Sequence, residues 1–282
     1  MGRRPMIVPE VFLVPDLVAI ILSRVERNSL SACFQTCRTW RNLARDSSFW
    51  RQRCLADHLI RDDESIPPLI FGGLNPWQCL WAFHINTQMK FIFIGTTRDG
   101  KSCLVRRYLG DENKPLPDSG STTYSQKSVD LTSFVHLRYD FWELPPHYKR
   151  FAYPLLFRDV GAILIVYDPS LRGSFGKALA RLADIRRDQQ TGDIPSGVPF
   201  ALISSNYDLP QDDGPPPDET IPRAYGPSVS LWESSAKTGL SLAEVFEDLT
   251  RRAMEARIQG WRERGLKAME KANNHRSHCA VS

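Results

Sequence analysis

Eight consecutive residues, Gly95-Thr96-Thr97-Arg98-Asp99-Gly100-Lys101-Ser102, have the types and spacing needed to hold a polyphosphate. They read G-x-x-x-x-G-K-S. Gly95 and Gly100 let the backbone double back, so that successive N–H groups point inward at an anion. Lys101 reaches the β- and γ-phosphates, and the Ser102 hydroxyl is placed to ligate Mg²⁺. Cys103 closes the phosphate-contacting run. A second chemistry-bearing group is Cys279-Ala280-Val281-Ser282, a cysteine, two aliphatic residues and a serine, which matches a prenylation signal with serine favouring farnesyl. The helix before it carries Arg251, Arg252, Arg257, Arg262, Arg264, Lys267, Lys271 and Arg276, a basic segment that could be the second membrane signal one lipid chain needs. His275, His278 and Cys279 could be spaced as metal ligands, but a frayed tail explains them better.

These groups need elements to place them. The apolar run Met89 to Ile94 suits a buried parallel strand entering the glycine loop. The segment after Lys101 continues as a helix to Leu109, which Gly110 can end. Its dipole puts a positive end at the loop. Asn113 to Gly120 reads as a proline-containing loop. Phe134 to Trp142 is the next strand expected, and Ser121-Thr122-Thr123 lies between that loop and it. Gly161 to Asp168 is a fully buried strand by composition, Phe175 to Arg187 has helical periodicity, and Pro199 to Ile203 and Val229 to Trp232 are further strands. Between the last two, Pro210 to Pro227 is rich in proline and acid, a surface loop. Leu242 to Ile258 closes as a long helix with Val245, Phe246 and Leu249 inward. Strands alternating with helices specify an α/β, mostly parallel, doubly wound sheet with flanking helices. A phosphate loop after the first strand puts the ligand at the carboxyl ends of the strands.

Ahead of this sheet, residues 14 to 55 read as several short helices. Pro15 stands near the first helix start, where its missing N–H costs little. Leu17, Ile20, Ile21 and Val25 share a face, Asn28-Ser29 breaks and caps, and Leu30, Cys33, Phe34 and Cys37 come next. A last segment carries Trp40, Leu43, Phe49, Trp50 and Leu55. The acidic and proline-containing stretch from 56 to 88 reads as linker, with Trp77, Leu80, Trp81 and Phe83 as a short amphipathic helix.

The chain has 282 residues, 42% hydrophobic and 24% charged, ordinary for a globular protein with room for two domains. A net charge of +4 gives no argument for nucleic acid. No apolar run approaches a membrane span, and Pro9, Glu10 and Asp16 spoil a secretory signal. Six scattered cysteines without C-x-x-C spacing favour a reducing compartment, cytosol or nucleus.

Two segments bear on which nucleotide the loop would hold. Leu202-Ile203-Ser204-Ser205-Asn206-Tyr207-Asp208-Leu209 and Glu233-Ser234-Ser235-Ala236-Lys237-Thr238 resemble the base-reading motifs of Ras/Rab-like small GTPases. Gly161 to Asp168 with Pro169 and Phe175, and Gly100-Lys101-Ser102-Cys103-Leu104, resemble that family too. The resemblance spans residues 89 to 258 and implies a P-loop NTPase-type fold binding GTP or GDP with Mg²⁺. It implies that Asp208 accepts two N–H bonds from guanine, with Ser205 and Asn206 beside it, and that Ser235, Ala236 and Lys237 close over the base. Glu143 matches the aspartate that holds Mg²⁺ through water, and Thr122 or Thr123 could supply the threonine of the first switch. Departures accompany the likeness. Asn206 and Tyr207 stand in a segment that lacks the family's base-packing lysine, Arg98 replaces a loop glycine, and Pro146 and His147 replace the glycine and glutamine of the second switch. His147 is thereby the candidate catalytic residue, and hydrolysis is expected to be impaired.

In the N-terminal segment, Pro15-x-Leu17, Ile21-Leu22, Leu30, Cys37 to Ala44 and Ser48-Phe49-Trp50 resemble the F-box family, with Val14 where leucine is usual. That resemblance implies a small all-α module docking on the Skp-type adaptor of SCF ubiquitin ligases, with Pro15, Leu17, Ile21 and Trp40 as apolar anchors. The expected organisation is an F-box-like module over 10–58, a linker over 59–88, a Ras/Rab-like domain over 89–258 and a basic tail over 259–282. The expected protein is a guanine-nucleotide-binding switch, cytoplasmic and held at a membrane surface by its prenylated tail. The alternative is an SCF-type ubiquitin-ligase adaptor whose GTPase-like domain only recognises partners.

Overall fold

The computed structural model describes residues 22, 25, 30, 33, 38–43, 45–61, 75, 77–78, 80, 88–96, 98–111, 121–133, 135–146, 148, 156–192, 194–210, 226 and 228–279, with backbone alone beyond residue 260. The chain divides into two compact units. One comprises Met1–Asn86, Leu131–Val135 and Arg257–Ser282; the other comprises Thr87–Asp130 and His136–Ala256.

In the first unit, α1 (Arg38–Leu43) and α2 (Ser47–Ala56) are complete helices. The Asp46 side chain caps α2 by accepting from Ser48 N at 2.9 Å. Leu22, Leu30, Trp50 and Cys54 are fully buried, with Phe49 set edge-on to Trp50. Buried Arg53 is satisfied by Asp57 at 2.9 Å and by the Leu22 carbonyl at 3.3 Å. In the turn 131–135, Thr132 Oγ1 donates to the Leu59 carbonyl at 2.9 Å.

The second unit is built on a six-stranded sheet of order β2-β3-β1-β4-β5-β6. Its strands are β1 (Gln88–Ile94), β2 (Thr123–Asp130), β3 (His136–Glu143), β4 (Val160–Tyr167), β5 (Phe200–Ser204) and β6 (Val229–Trp232). All neighbours are parallel except β2 and β3, which are antiparallel. Helices α3 (Lys101–Leu109), α4 (Ser174–Thr191) and α5 (Leu242–Cys279) come after β1, β4 and β6. Alternate residues of β1 serve two cores. Ile92 and Ile94 join Ile163, Ile165, Phe175, Leu182 and Ile185 against α4. Phe91 and Phe93 pack with Phe141 and with Phe246 of α5, and the Tyr108 ring of α3 lies tilted against Phe246, centroids 4.0 Å apart. Every residue of β4 is buried, as expected of a strand covered on both faces. Ile163→Val should cost about 0.5–1.5 kcal/mol, read by urea unfolding, since one methylene leaves a site with no exposed surface.

Three expectations need correction. The strand β2 was not foreseen: its burial alternates between half-buried and exposed, with no apolar face to show in the sequence. It is an edge strand, held by its ladder to β3 rather than by a core. The strand expected from Phe134, which lies outside the described residues, is seen from His136, after Leu131 N bonds the Val135 carbonyl and Val135 N bonds Thr132 Oγ1. The helix over Leu242 to Ile258 and the helix carrying the basic residues to Arg276 are one element, and His275 to Cys279 are not a frayed tail: α5 is one helix of 38 residues reaching Cys279.

β1 is flanked by β3 on one side and β4 on the other, so the chain leaves it in one direction and later returns on the opposite side. The loop at the carboxyl end of β1 therefore opens at the crevice where an α/β sheet binds its ligand.

Candidate functional site

The phosphate-type loop connects β1 to α3, and its glycines are forced by close packing. A Cβ on Gly95 would meet Asp99 Oδ2 and the Val166 carbonyl, each at 2.8 Å. Gly100, at φ +77°, abuts the Ser205 Cβ at 2.7 Å from where its own would stand. No side chain caps α3 at Gly100, so its first N–H groups face the loop mouth as an anion site requires. Arg98 adopts φ 72°, the left-handed region where glycine is free, at a cost of about 1–2 kcal/mol to an arginine. Lys101 Nζ donates to the Thr96 carbonyl at 2.6 Å. Burial pulls the Lys101 ammonium below its usual range, while Asp99 and Glu143 oppose that shift. Asp99, 2% exposed, accepts from Thr96 Oγ1 at 2.6 Å and from Thr96 N. Cys103 is exposed on the first turn of α3. Thr97 lies outside the described residues.

Glu143 ends β3. The register that pairs Phe93 with Glu143, continued by Leu144 N on the Phe93 carbonyl, brings its side chain to the loop. Ser102 Oγ donates to Glu143 Oε2 at 2.5 Å. Burial pushes the Glu143 carboxyl up, against the Ser102 bond, Lys101 and Arg106. A hydroxyl and a carboxylate oxygen side by side are hard donors, and fit a small cation of the Mg²⁺ type. Thr122 is exposed just ahead of β2, whose first residue, Thr123, pairs with Glu143. Beyond Glu143 the Pro146 carbonyl accepts from Arg181 Nη2 of α4 at 2.7 Å, and that guanidinium lies 5.5 Å over the Tyr148 ring. His147 lies outside the described residues.

The segments after β5 and β6, far apart in sequence, are zipped together. Tyr207 N bonds the Ser234 carbonyl and Ala236 N the Ser205 carbonyl, each at 3.0 Å, and Asn206 bridges Ser235. Asp208 Oδ1 accepts from Ser235 Oγ at 2.5 Å, with Lys237 Nζ 3.8 Å from its other oxygen. The Ser235 bond, ahead of Lys237, holds the Asp208 carboxyl below its usual range. Lys237 itself is 80% exposed. Ser205 links this pair to the phosphate loop, since it is fully buried against Gly100 with its Oγ unbonded. Asn206 Nδ2 donates to Asp168 Oδ2 at 2.7 Å. Asp168 was not singled out from the sequence, although the Asp168-Pro169-Ser170 turn, with Ser170 N and Oγ on Asp168 Oδ1, is the kind of local signal that marks such a residue.

The structure thus brings together Gly95, Thr96, Asp99, Gly100, Lys101, Ser102 and Glu143, and joins them through Ser205 to Asn206, Asp208, Ser235, Ala236 and Lys237. Of the expected docking residues, Trp40 is half-buried in α1, whereas Pro15, Leu17 and Ile21 lie outside the described residues. Cys279 ends α5, its side chain not described, and Ala280 to Ser282 lie outside. Among the described residues no helix is long and apolar enough to cross a membrane.

Residues 90–255 match the family model described as Ras family, and residues 15–56 match the one described as F-box-like. The chain is similar to Ras-related protein Rab-17 of Mus musculus, 28% identical over 168 residues, covering 59% of this chain and 76% of that protein. It is also similar to GTP-binding protein ypt5 of Schizosaccharomyces pombe, 23% identical over 173 residues, 60% of this chain and 79% of that one. GTP-binding protein RAD of Mus musculus is 29% identical over 169 residues, 57% of this chain and 51% of that relative.

Proposed function

Because this chain belongs to the Ras family, with an F-box-like domain ahead of its Ras domain, we propose that it is a guanine-nucleotide-binding protein whose hydrolytic step is impaired. One observation carries this reading. The phosphate loop and the Asp208 and Ser235 segments form one continuous site through Ser205, with the Asp208 carboxylate held ionised beside it. In it, the loop and Lys101 hold the phosphates of GDP or GTP. Asp208 accepts from the guanine N–H groups, a pair that adenine does not offer, while Ala236 and Lys237 border the base. Ser102 and Glu143 would hold Mg²⁺, which supplies charge neutralisation to the phosphates. Calorimetric titration of the full chain with GDP, GTP and ADP in Mg²⁺ tests the reading. Guanine nucleotides should bind, ADP should bind at least tenfold more weakly, and Asp208→Ala should erase that preference. No heat with either guanine nucleotide at high protein concentration would reject it.

The F-box-like match and its packed unit around Trp50, Phe49 and Leu43 favour a second role beside the first. In this role residues 10–58 capture a Skp-type adaptor, and the Ras domain over 89–258 acts as the recognition arm beyond the 59–88 linker. Pro15→Ala with Trp40→Ala should weaken retention of the adaptor in a pull-down. Equal retention by the double variant would set aside those anchors. The basic residues 259–282 and a prenylated Cys279 complete the arrangement as a membrane attachment, which mass spectrometry of the Cys279 peptide from the native host checks.

A further inference from the structure

The position before Gly100 carries an acid, Asp99, which neither the phosphate contacts nor the base contacts of the nucleotide site require. Its side chain is nine-tenths and more buried, yet it has polar partners. It turns back into its own loop, accepting from both the Thr96 backbone N–H and the Thr96 hydroxyl. Asp99 Oδ2 and Lys101 Nζ also crowd the same glycine, 2.8 and 3.3 Å from where a Gly95 Cβ would stand. The loop is therefore an anion cradle that already contains an anion. A loop N–H is spent on it, it stands immediately before the positive end of α3, and it faces the one lysine aimed at the phosphates. Glu143, bonded to Ser102, acts on the same lysine, so the charge of Lys101 is opposed by two carboxylates.

Resting on the nucleotide-binding reading, we infer that Asp99 is a specificity-determining residue of the phosphate loop: an internal counter-anion that competes with the polyphosphate for the loop and Lys101, weakening nucleotide binding and penalising the triphosphate more than the diphosphate. The physical cause is charge. A fixed carboxylate in a poorly solvated loop repels each added phosphate charge far more than it would in water. The γ-phosphate therefore meets the larger penalty. The same carboxylate offsets Lys101 when no ligand is present, which keeps the loop closed on itself.

The test uses the full chain with Mg²⁺ and three probes: GDP, GTP and pyrophosphate, the last free of any base contact. Asp99→Asn keeps the size and one acceptor oxygen, which can serve the Thr96 N–H while the amide NH2 donates to the Thr96 hydroxyl, but removes the charge; Asp99→Val removes charge and acceptors alike. Asp99→Asn should tighten GDP and pyrophosphate on the order of tenfold, and GTP several-fold more than GDP. Native-like affinities for GDP, GTP and pyrophosphate in Asp99→Asn, with guanine still preferred over adenine, overturn the inference and leave the nucleotide reading standing. Pyrophosphate tightening without any guanine preference supports the inference and overturns the guanine reading. A loss of affinity in Asp99→Asn, with thermal unfolding unchanged, shows instead that Asp99 holds the loop in its binding shape and overturns the proposal.

Discussion

Lys101→Ala is expected to lower the affinity for GDP and GTP by about 10²–10⁴-fold. Two bonds from the ammonium to phosphate oxygens are lost, each worth about 1.5–3 kcal/mol because both partners are charged. The native geometry supports a direct role, since Lys101 Nζ is already within the loop, 2.6 Å from the Thr96 carbonyl. Asp99 and Glu143, which act on this ammonium, would lose its opposing charge after the truncation. Repulsion from those carboxylates adds to the loss of the bonds. Circular dichroism and thermal unfolding should show the fold retained, because the sheet core beneath the loop does not involve this side chain. A Lys101→Ala protein that binds GDP within threefold of the native chain would remove the phosphate loop from the account.

Single-turnover GTP hydrolysis is expected to run at least tenfold slower than in small GTPases with the ordinary second switch. The family resemblance gives the glycine matching Pro146 the task of donating its N–H to the γ-phosphate. Proline has no N–H and a fixed φ, so it can neither donate nor adopt a rearranged backbone. The structure adds a second restraint, for Arg181 on α4 holds the Pro146 carbonyl while stacking over Tyr148. The turn is thus pinned to a helix whose Leu182 and Ile185 lie in the core. Losing one bond to a charged group costs about 1.5–3 kcal/mol, on the order of tenfold to a hundredfold in preference for the triphosphate state. The glutamine that orients the attacking water is matched by His147, whose imidazole lacks the amide's paired donor and acceptor. Pro146→Gly with His147→Gln should raise the rate. A native rate equal to that of an ordinary small GTPase, unchanged by His147→Ala, would show that neither substitution matters.

Much of the nucleotide site is local and therefore readable in one dimension. Gly95, Gly100, Lys101 and Ser102 sit within eight residues, and periodicity alone gives the apolar run before them and the helix after them. β4 and β5 are legible for the same reason, since a strand buried on both faces must be apolar throughout. The strand β2 was illegible because its stability comes from backbone bonds to β3 at a sheet edge, and edge residues carry no hydrophobic period. The helix through the basic residues to Arg276 is legible too; that it is one element with Leu242 to Ile258 and runs on to Cys279 is not, because the apolar period ends near Ile258.

The amino-acid order alone determined which chemistry is present: a phosphate loop, an acid at Asp208, a hydroxyl at Ser102 and an acid at Glu143. Only the tertiary structure decided which of these groups meet. Glu143 reaches Ser102 because β1 and β3 run parallel in a particular register, and one residue of slip would turn its side chain to the opposite face. Asp208 meets Ser235 because β5 and β6 end at the same height, so that two segments 27 residues apart can exchange bonds. Asp99 is the sharpest instance. In the sequence it is one unremarked position of a loop pattern; folded, its carboxylate turns inward onto Thr96 beside Lys101, because the Thr96 N–H and hydroxyl both donate to it across the turn at Gly95.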